Sequence, residues 1–316
     1  MGITTRDLGA DDAEATAALM SRIEADHPTG FCLGRVEISE LMRDKPDSVW
    51  EGAFDHDRLV AYTTIMPGLP HEDGQRFNLF GDVDPARLGE GIGTLMLGRS
   101  VDRARAIHAA DAPGTPARYA HQALAGRDDQ ADLLAAAGFT QGRHTFLMVA
   151  DLHGGIPKLV VPDGLTVEPF DRTRSEELRL AHNAAFADYP DVTPIGAEFW
   201  GLFMGSAEHN RHHLSVVARD ASGAVAGYVF AHEYAVPPSG GPGPEVHIPY
   251  VGTLPGHRGR GLAASLLARV LRLSRAEGYD TASLNVDTEN PTGALRIYER
   301  AGFRTSYRQD SYLLDE

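Results

Sequence analysis

Two stretches in the second half of the chain set reactive side chains at useful intervals. The first, His257-Arg-Gly-Arg-Gly-Leu-Ala263, lies between a β-like run and an amphipathic helical pattern. A helix N-terminus presents unpaired N–H groups and about half a positive charge, which suits an anion such as a phosphate. Gly259 and Gly261 let the backbone approach that anion with no Cβ in the way. Arg258 and Arg260 add two cations, each able to make a charge-assisted bond of about 1.5–3 kcal/mol. The spacing is neither that of a P-loop nor that of a dinucleotide-binding G-x-G-x-x-G. The competing reading is a Gly-rich turn with solvated arginines. In the second stretch, Leu284 to Phe303, Asn290 stands at a predicted strand end, where it can cap the next helix or bind a ligand. Ala294 and Tyr298 are four residues apart and share a helical face. That face offers a phenol donor to a departing thiol.

A reaction that releases a proton also needs a base. Glu233, Glu245 and His247 are the candidates on the second-half strands, with His232 beside Glu233. Neighbouring strand side chains alternate, so only one of His232 and Glu233 faces a cleft. A buried carboxylate near Tyr298 would have a raised pKa suited to accepting an amine proton, which makes Glu233 the expected base. The plainer readings are a solvated strand-end charge for Glu233 and a satisfied strand histidine for His247. Glu208-His-Asn-Arg-His-His213 contains no cysteine and sits in a predicted loop, so it reads as a solvated turn and no metal is expected. Phe186, Phe199, Trp200 and Phe203 read as packing, and Cys32 as inert.

The elements that must position these groups appear twice. GDVDPARLGEGIGTLM, from Gly81, resembles VGTLPGHRGRGLAASL, from Val251; Pro85 and Pro255 stand 170 residues apart. LLAAAGF ends at Phe139 and IYERAGF at Phe303, 164 residues apart. One domain has been duplicated. In the second copy the patterns predict a helix over Ser175–Phe186 and strands over Leu214–Arg219, Ala224–Val236 and Val246–Thr253. They continue with a helix Gly261–Glu277, a strand Thr281–Val286, a helix Thr292–Ala301 and a final strand Tyr307–Leu314. Leu262, Leu266, Leu267, Val270 and Leu271 give the helix after the turn one buried face. In the first copy the matching strands are Val49–Phe54, Arg58–Met66, Gln75–Val83 and Ala117–Gln122, with helices Gly89–His108 and Asp128–Ala137. Asp151 to Leu165, rich in Gly and Pro, reads as a linker. The expected domains are therefore residues 1–150 and 166–316, joined by 151–165.

The chain of 316 residues is long enough for two such cores, and 42% hydrophobic with 23% charged residues is globular composition. No apolar run approaches the roughly 18–20 residues of a membrane span, and the acidic N-terminal stretch does not resemble a secretory signal. The single cysteine allows no internal disulfide and fits a reducing compartment, so a cytoplasmic location is expected. A net charge of −15 disfavours nucleic acid and anionic membranes, and welcomes a cationic amine.

Together the two stretches resemble the GNAT superfamily of acyl-CoA-dependent N-acyltransferases. Its [Q/R]-x-x-G-x-[G/A] motif is matched by Arg258, Gly261 and Ala263, and its N…A…Y…GF motif by Asn290, Ala294, Tyr298, Gly302 and Phe303. The resemblance is good from about residue 166 to 314 and weaker in the first half. It implies an α/β (α+β) fold of two tandem GNAT-like domains, each a mixed, mostly antiparallel sheet splayed at its centre and flanked by helices. It also implies acetyl-CoA as acyl donor, its pyrophosphate on Arg258, Gly259, Arg260, Gly261, Leu262, Ala263 and Ala264. The pantetheine arm would pair along Val251, Gly252 and Thr253 and touch Asn290. Tyr298 would protonate the departing thiolate while a small-molecule amine attacks the thioester directly.

The first copy lacks these groups: Leu88 and Glu90 replace Arg258 and Arg260, Leu134 replaces Tyr298, and Gly126 replaces Asn290. It reads as a structural partner. The alternatives to an N-acetyltransferase are a non-catalytic acyl-CoA sensor or scaffold, and an enzyme like the mycothiol synthases, tandem members of the same superfamily. From the latter the chain departs at His247, where a carboxylate is expected, near His232 in place of a basic residue, and at Asn285 in place of an aromatic.

Overall fold

The computed structural model describes residues 2–316, apart from 28–32, 45–47, 72, 159, 190–193, 198–199, 202–203, 205–208 and 288–292. In chain order the elements are β1 (Ile3–Asp7), α1 (Ala13–Asp26), α2 (Arg35–Asp44), β2 (Val49–Asp55), β3 (Arg58–Pro67), β4 (Gln75–Val83), α3 (Ile92–Asp111), β5 (Ala117–Leu124), α4 (Asp128–Ala136) and β6 (Thr140–Asp151). There follow β7 (Thr166–Pro169), α5 (Ser175–Phe186), β8 (Val216–Arg219), β9 (Val225–Val229), β10 (Glu245–His247), β11 (Val251–Thr253), α6 (Leu262–Ala276), β12 (Thr281–Asp287), α7 (Ala294–Arg300) and β13 (Arg304–Asp315). They form two compact units, one of residues 1–145 with 307–316, the other of residues 146–306.

This division differs from the one read in the sequence at two places. Residues 146–165, including the expected linker, fold with the second unit, and the last ten residues with the first. There β13 pairs antiparallel with β5, Gln309 opposite Leu124 through Asp315 opposite Arg118. Paired charges hold its end: Arg118 bonds Asp315 and Arg105 bonds Glu316. A strand's neighbour is a tertiary choice, and the alternating pattern of residues 307–314 suits either sheet.

In the first unit β1 to β4 form an antiparallel run, and β4 then lies parallel to β5 over Gln75–Asn78 only. Beyond Asn78 the two strands part. In the second unit β7, β8, β9 and β11 make an antiparallel sheet, while β10 runs parallel to β12. The predicted single strand Val246–Thr253 is therefore divided between two sheets. The sequence carried one sign of this, Pro249, which cannot donate to a ladder.

Two apolar layers cover that sheet. Leu262, Leu266, Leu267, Val270 and Leu271 of α6 meet Val246, Ile248, Ala282 and Leu284 on one face, together with Ala294 and Tyr298 of α7. On the other face Phe170, Leu178 and Trp200 pack with Val217, Tyr228 and Phe230. Val225 to Phe230 contribute to both layers, so β9 is central and fully buried.

Candidate active site

The Gly-rich turn forms as its residue types require. Gly259 and Gly261 take the left-handed conformation, φ 74° and 79°, and a Cβ at either would meet nothing within 4 Å. Glycine is present there for its backbone freedom, and the space in front of the turn is open. Gly261 is the N-cap of α6 and supplies no side-chain cap. The first bond into the helix is from Ser265 N–H to the Gly261 carbonyl, 3.1 Å. The amides of Leu262, Ala263 and Ala264 precede it and have no partner within the helix. They make the N-terminus a site for negative charge.

The two arginines of the turn do different work. Arg258 donates through Nη1 to Asp188 Oδ2 (2.7 Å), through Nη2 to the Ala185 carbonyl (3.0 Å) and through Nε to the Thr253 carbonyl (3.3 Å). Its guanidinium thus caps the C-terminal end of α5 and ties it to β11 and the turn. A cation at a helix C-terminus satisfies carbonyls that lack intrahelical donors. A phosphate contact is the expectation for Arg258; the contacts it makes here are those of this clamp. Arg260 is exposed and makes one long contact, to the Asp163 carbonyl at 3.4 Å, so it is the arginine with donors to spare.

The turn is fed by β11. Val251, Gly252 and Thr253 pair with Val229, Tyr228 and Gly227. Gly252 is required by packing, since a Cβ there would collide with the ring and hydroxyl of Tyr228. Among the described residues the last link from this strand to β12 is Ile248 N–H to the Ser283 carbonyl, 2.8 Å. From there to Thr253 the edge facing β12 is open. The opening coincides with a bulge. Phe230 N–H bonds the Tyr250 carbonyl, and His232 then pairs with His247, so three steps on one strand match two on the other. In the first unit β4 and β3 pair from Val83 to Phe77 without a shift.

Alternation assigns the remaining side chains. Val246, Ala282 and Leu284 face α6, so Glu245, His247 and Ser283 face the opposite side. His232 lies with them: its ring is 4.8 Å from His209, and its Nδ1 is 3.3 Å from the Tyr234 hydroxyl. Glu233 faces α6 instead. Arg211 holds its carboxylate at 2.7 Å, and the Tyr279 hydroxyl donates to it at 2.5 Å. Burial alone would raise the pKa of Glu233, but Tyr279 and Arg211 outweigh it and hold the carboxyl below its usual range. Tyr279 lies beyond the far end of α6, a helix of 15 residues and so about 22 Å long. The raised pKa expected of Glu233 is thus not found, and its carboxylate is engaged by Arg211 and Tyr279. Tyr298 is buried on α7 with its ring edge-on to Phe303, 6.2 Å between centroids. Burial, with Tyr189 adding to it, raises its pKa well above that of an ordinary phenol, so it keeps its proton as a donor. Asn290, Phe199 and Phe203 lie outside the described residues.

Residues 175–303 match the acetyltransferase (GNAT) family. Over 287 residues the chain is 31% identical to a mycothiol acetyltransferase of Frankia casuarinae, covering 81% of this chain and 76% of that one. The chain belongs to the GNAT acetyltransferase family. Among solved structures, a GCN5-related N-acetyltransferase from Sphaerobacter thermophilus superposes with a TM-score of 0.76, at 22% identity over 99% of this chain and 95% of that one. A tandem GNAT protein from the clavulanic acid biosynthesis pathway gives 0.75, at 16% identity over 99% and 98%. The chain is thus an acyltransferase with a tandem GNAT fold, and the family draws its acyl group from acetyl-CoA. Among the described residues no helix is long and apolar enough to cross a membrane, and no three His, Cys, Asp or Glu side chains group to hold a metal.

The first unit repeats the turn with different side chains around it. Gly89 and Gly91 both have φ 78°, and Gly91 caps α3 as Gly261 caps α6. Glu90, at the position of Arg260, bonds Arg87 at 2.8 Å. Leu134, at the position of Tyr298, is buried in the core. The cleft between the parting strands is lined by Tyr62, Gly81, Asp82, His121, Gln130 and Leu134. Gln130 of α4 donates to the Asp82 carboxylate at 3.0 Å, and His27 approaches the same oxygen at 3.1 Å. In the second unit the corresponding positions are Gly252 and Ala294, which have almost no side chain.

Sequence reasoning missed the bulge, Ser283 and the grouping of His209, His232 and Tyr234. Alternation along Glu245 to His247 could have found the shared face of the first and last. The aromatic grouping joins segments that no spacing rule connects.

Proposed function

We propose that the second unit transfers the acetyl group of acetyl-CoA to a primary amine of a small molecule by direct attack. The observation that carries this is the parting of Ile248–Thr253 from β12, which opens a slot leading to the unpaired amides of Leu262 to Ala264. Those amides and Arg260 would hold the pyrophosphate, and the free edge of Val251, Gly252 and Thr253 would pair with the pantetheine arm. Asn290 is retained in this reading as a contact to that arm.

The thioester would then lie between two faces, with Tyr298 on one and His247 on the other. The amine nitrogen attacks the carbonyl carbon, forming the C–N bond as the C–S bond breaks. His247 Nε2 accepts the proton that the nitrogen gives up, and the Tyr298 hydroxyl protonates the leaving thiolate. Burial holds the His247 imidazolium down to about 4, so the ring is neutral and carries a lone pair at pH 7. In this reading His247 takes the place of Glu233 as the base, since among the described residues it has no ion-pair partner.

The net charge of −15 favours a cationic or polar amine. The name shared by the curated relatives puts an acceptor related to mycothiol among those to test. Calorimetry with acetyl-CoA and thiol release with a panel of amines test the proposal together. Uptake and amine-dependent release are expected. No uptake overturns the reading, and uptake without release for any amine favours an acyl-CoA-binding module.

A further inference from the structure

Behind His247 lies a chain of buried polar groups that the chemistry above does not use. His247 Nδ1 is 2.9 Å from Ser283 Oγ, and Ser283 Oγ is 2.6 Å from Glu245 Oε1. Glu245 is 3% exposed and Ser283 is fully buried. The Ser239 N–H also donates to Glu245 Oε1 and the Thr281 hydroxyl to Oε2, both at 3.2 Å.

These contacts have a direction. A carboxylate only accepts hydrogen bonds, and three donors converge on this one, at least one on each oxygen. The 2.6 Å distance to Ser283 lies in the range of an O–H donating to an ionised oxygen. Ser283 has a single hydroxyl hydrogen, and Glu245 takes it. Toward His247, Ser283 is therefore left as an acceptor, and Nδ1 must be the donor. A neutral imidazole has only one N–H, so Nε2 is bare. Among the described residues Nε2 makes no hydrogen bond. We infer that Ser283 and Glu245 are positioning residues that lock His247 in its Nδ1–H tautomer, with the basic Nε2 turned to the acceptor side.

The inference deepens the proposed function, resting on it for the use made of Nε2 but not for the tautomer. A protonated Glu245 would reverse the chain. Ser283 would then donate to Nδ1, and the proton of the ring would sit on Nε2, where it blocks the base.

The test is the ¹⁵N spectrum of the histidine side chains in the intact protein at pH 7.5, with His247 assigned by its loss in His247→Gln. The expected spectrum is that of the Nδ1–H form. Ser283→Ala should move it toward the Nε2–H form preferred by free imidazole, and Ser283→Thr, which keeps the hydroxyl, should restore it. Ser283→Ala should also lower kcat about 10-fold or more with the Kd for acetyl-CoA unchanged. An Nε2–H signal assigned to His247 in the wild-type protein overturns the inference even if the Ser283 variants do not fold, as does a tautomer indifferent to Ser283→Ala. If the Nδ1–H form is found but His247→Gln keeps full turnover, the positioning chain stands and the assignment of the base falls.

Discussion

The twin turns allow one substitution to be made with its own control. Gly91 and Gly261 cap equivalent helices at φ 78° and 79°, and a Cβ on either meets nothing within 4 Å. Alanine at either position adds no clash and must hold a left-handed backbone, at a cost of about 1–2 kcal/mol. Urea denaturation should therefore show similar losses for Gly91→Ala and Gly261→Ala. Acetyl-CoA affinity should separate them. At Gly261 the new methyl stands in the open space from which a phosphate approaches the amides of Leu262 to Ala264. Losing one charge-assisted amide bond, about 1.5–3 kcal/mol, weakens binding roughly 10- to 150-fold. At Gly91 the neighbouring side chain is the carboxylate of Glu90, bonded to Arg87, and calorimetry should give an unchanged Kd. Equal affinity in wild type and Gly261→Ala would refute the cradle. Equal weakening in both variants would refute the view that the first unit is silent.

Tyr298→Phe should lower kcat about 10- to 1000-fold with acetyl-CoA binding intact; full turnover would mean that the thiolate leaves without help from the phenol. His247→Gln should reduce kcat about 100-fold or more, whereas Glu233→Gln should leave it intact and lower stability by disturbing Arg211 and Tyr279; the reverse ranking in a thiol-release assay would restore Glu233 as the base. Leu134→Ala removes a fully buried side chain and should cost about 2–5 kcal/mol without altering turnover per folded molecule. Stability should fall as pH drops from 7 to 5. Burial holds His182 and His247 to about 4, below the ordinary 6.5, so below pH 6.5 the unfolded chain takes up protons that the folded one refuses. Each ring then contributes a loss of roughly 2 kcal/mol by pH 5. His27 opposes this: burial pulls its pKa down, but Asp82 and Asp26 together leave it raised. A urea midpoint that is flat between pH 7 and 5 would contradict the loss expected from the two buried rings.

Local rules were enough for much of this protein. Two copies of Pro–Gly-rich turn–helix, the apolar stripe of Leu262 to Leu271 and the pair Ala294 and Tyr298 specify the duplicated fold, the open helix N-terminus after the turn and the buried position of the phenol. Each depends on neighbours within about one helical turn or one hairpin. What the sequence left open depends on contacts between distant segments. Arg258 reads as a phosphate ligand until α5 brings Asp188 and the Ala185 carbonyl to its donors. Glu233 reads as a base until Arg211 and Tyr279 meet it. The last strand reads as part of the second domain until it pairs with β5. Alternation makes the choice between His232 and Glu233 binary, but only packing says which face looks into the slot. A one-residue shift of register exchanges the two faces, and the bulge that makes such a shift is a property of the assembled sheet.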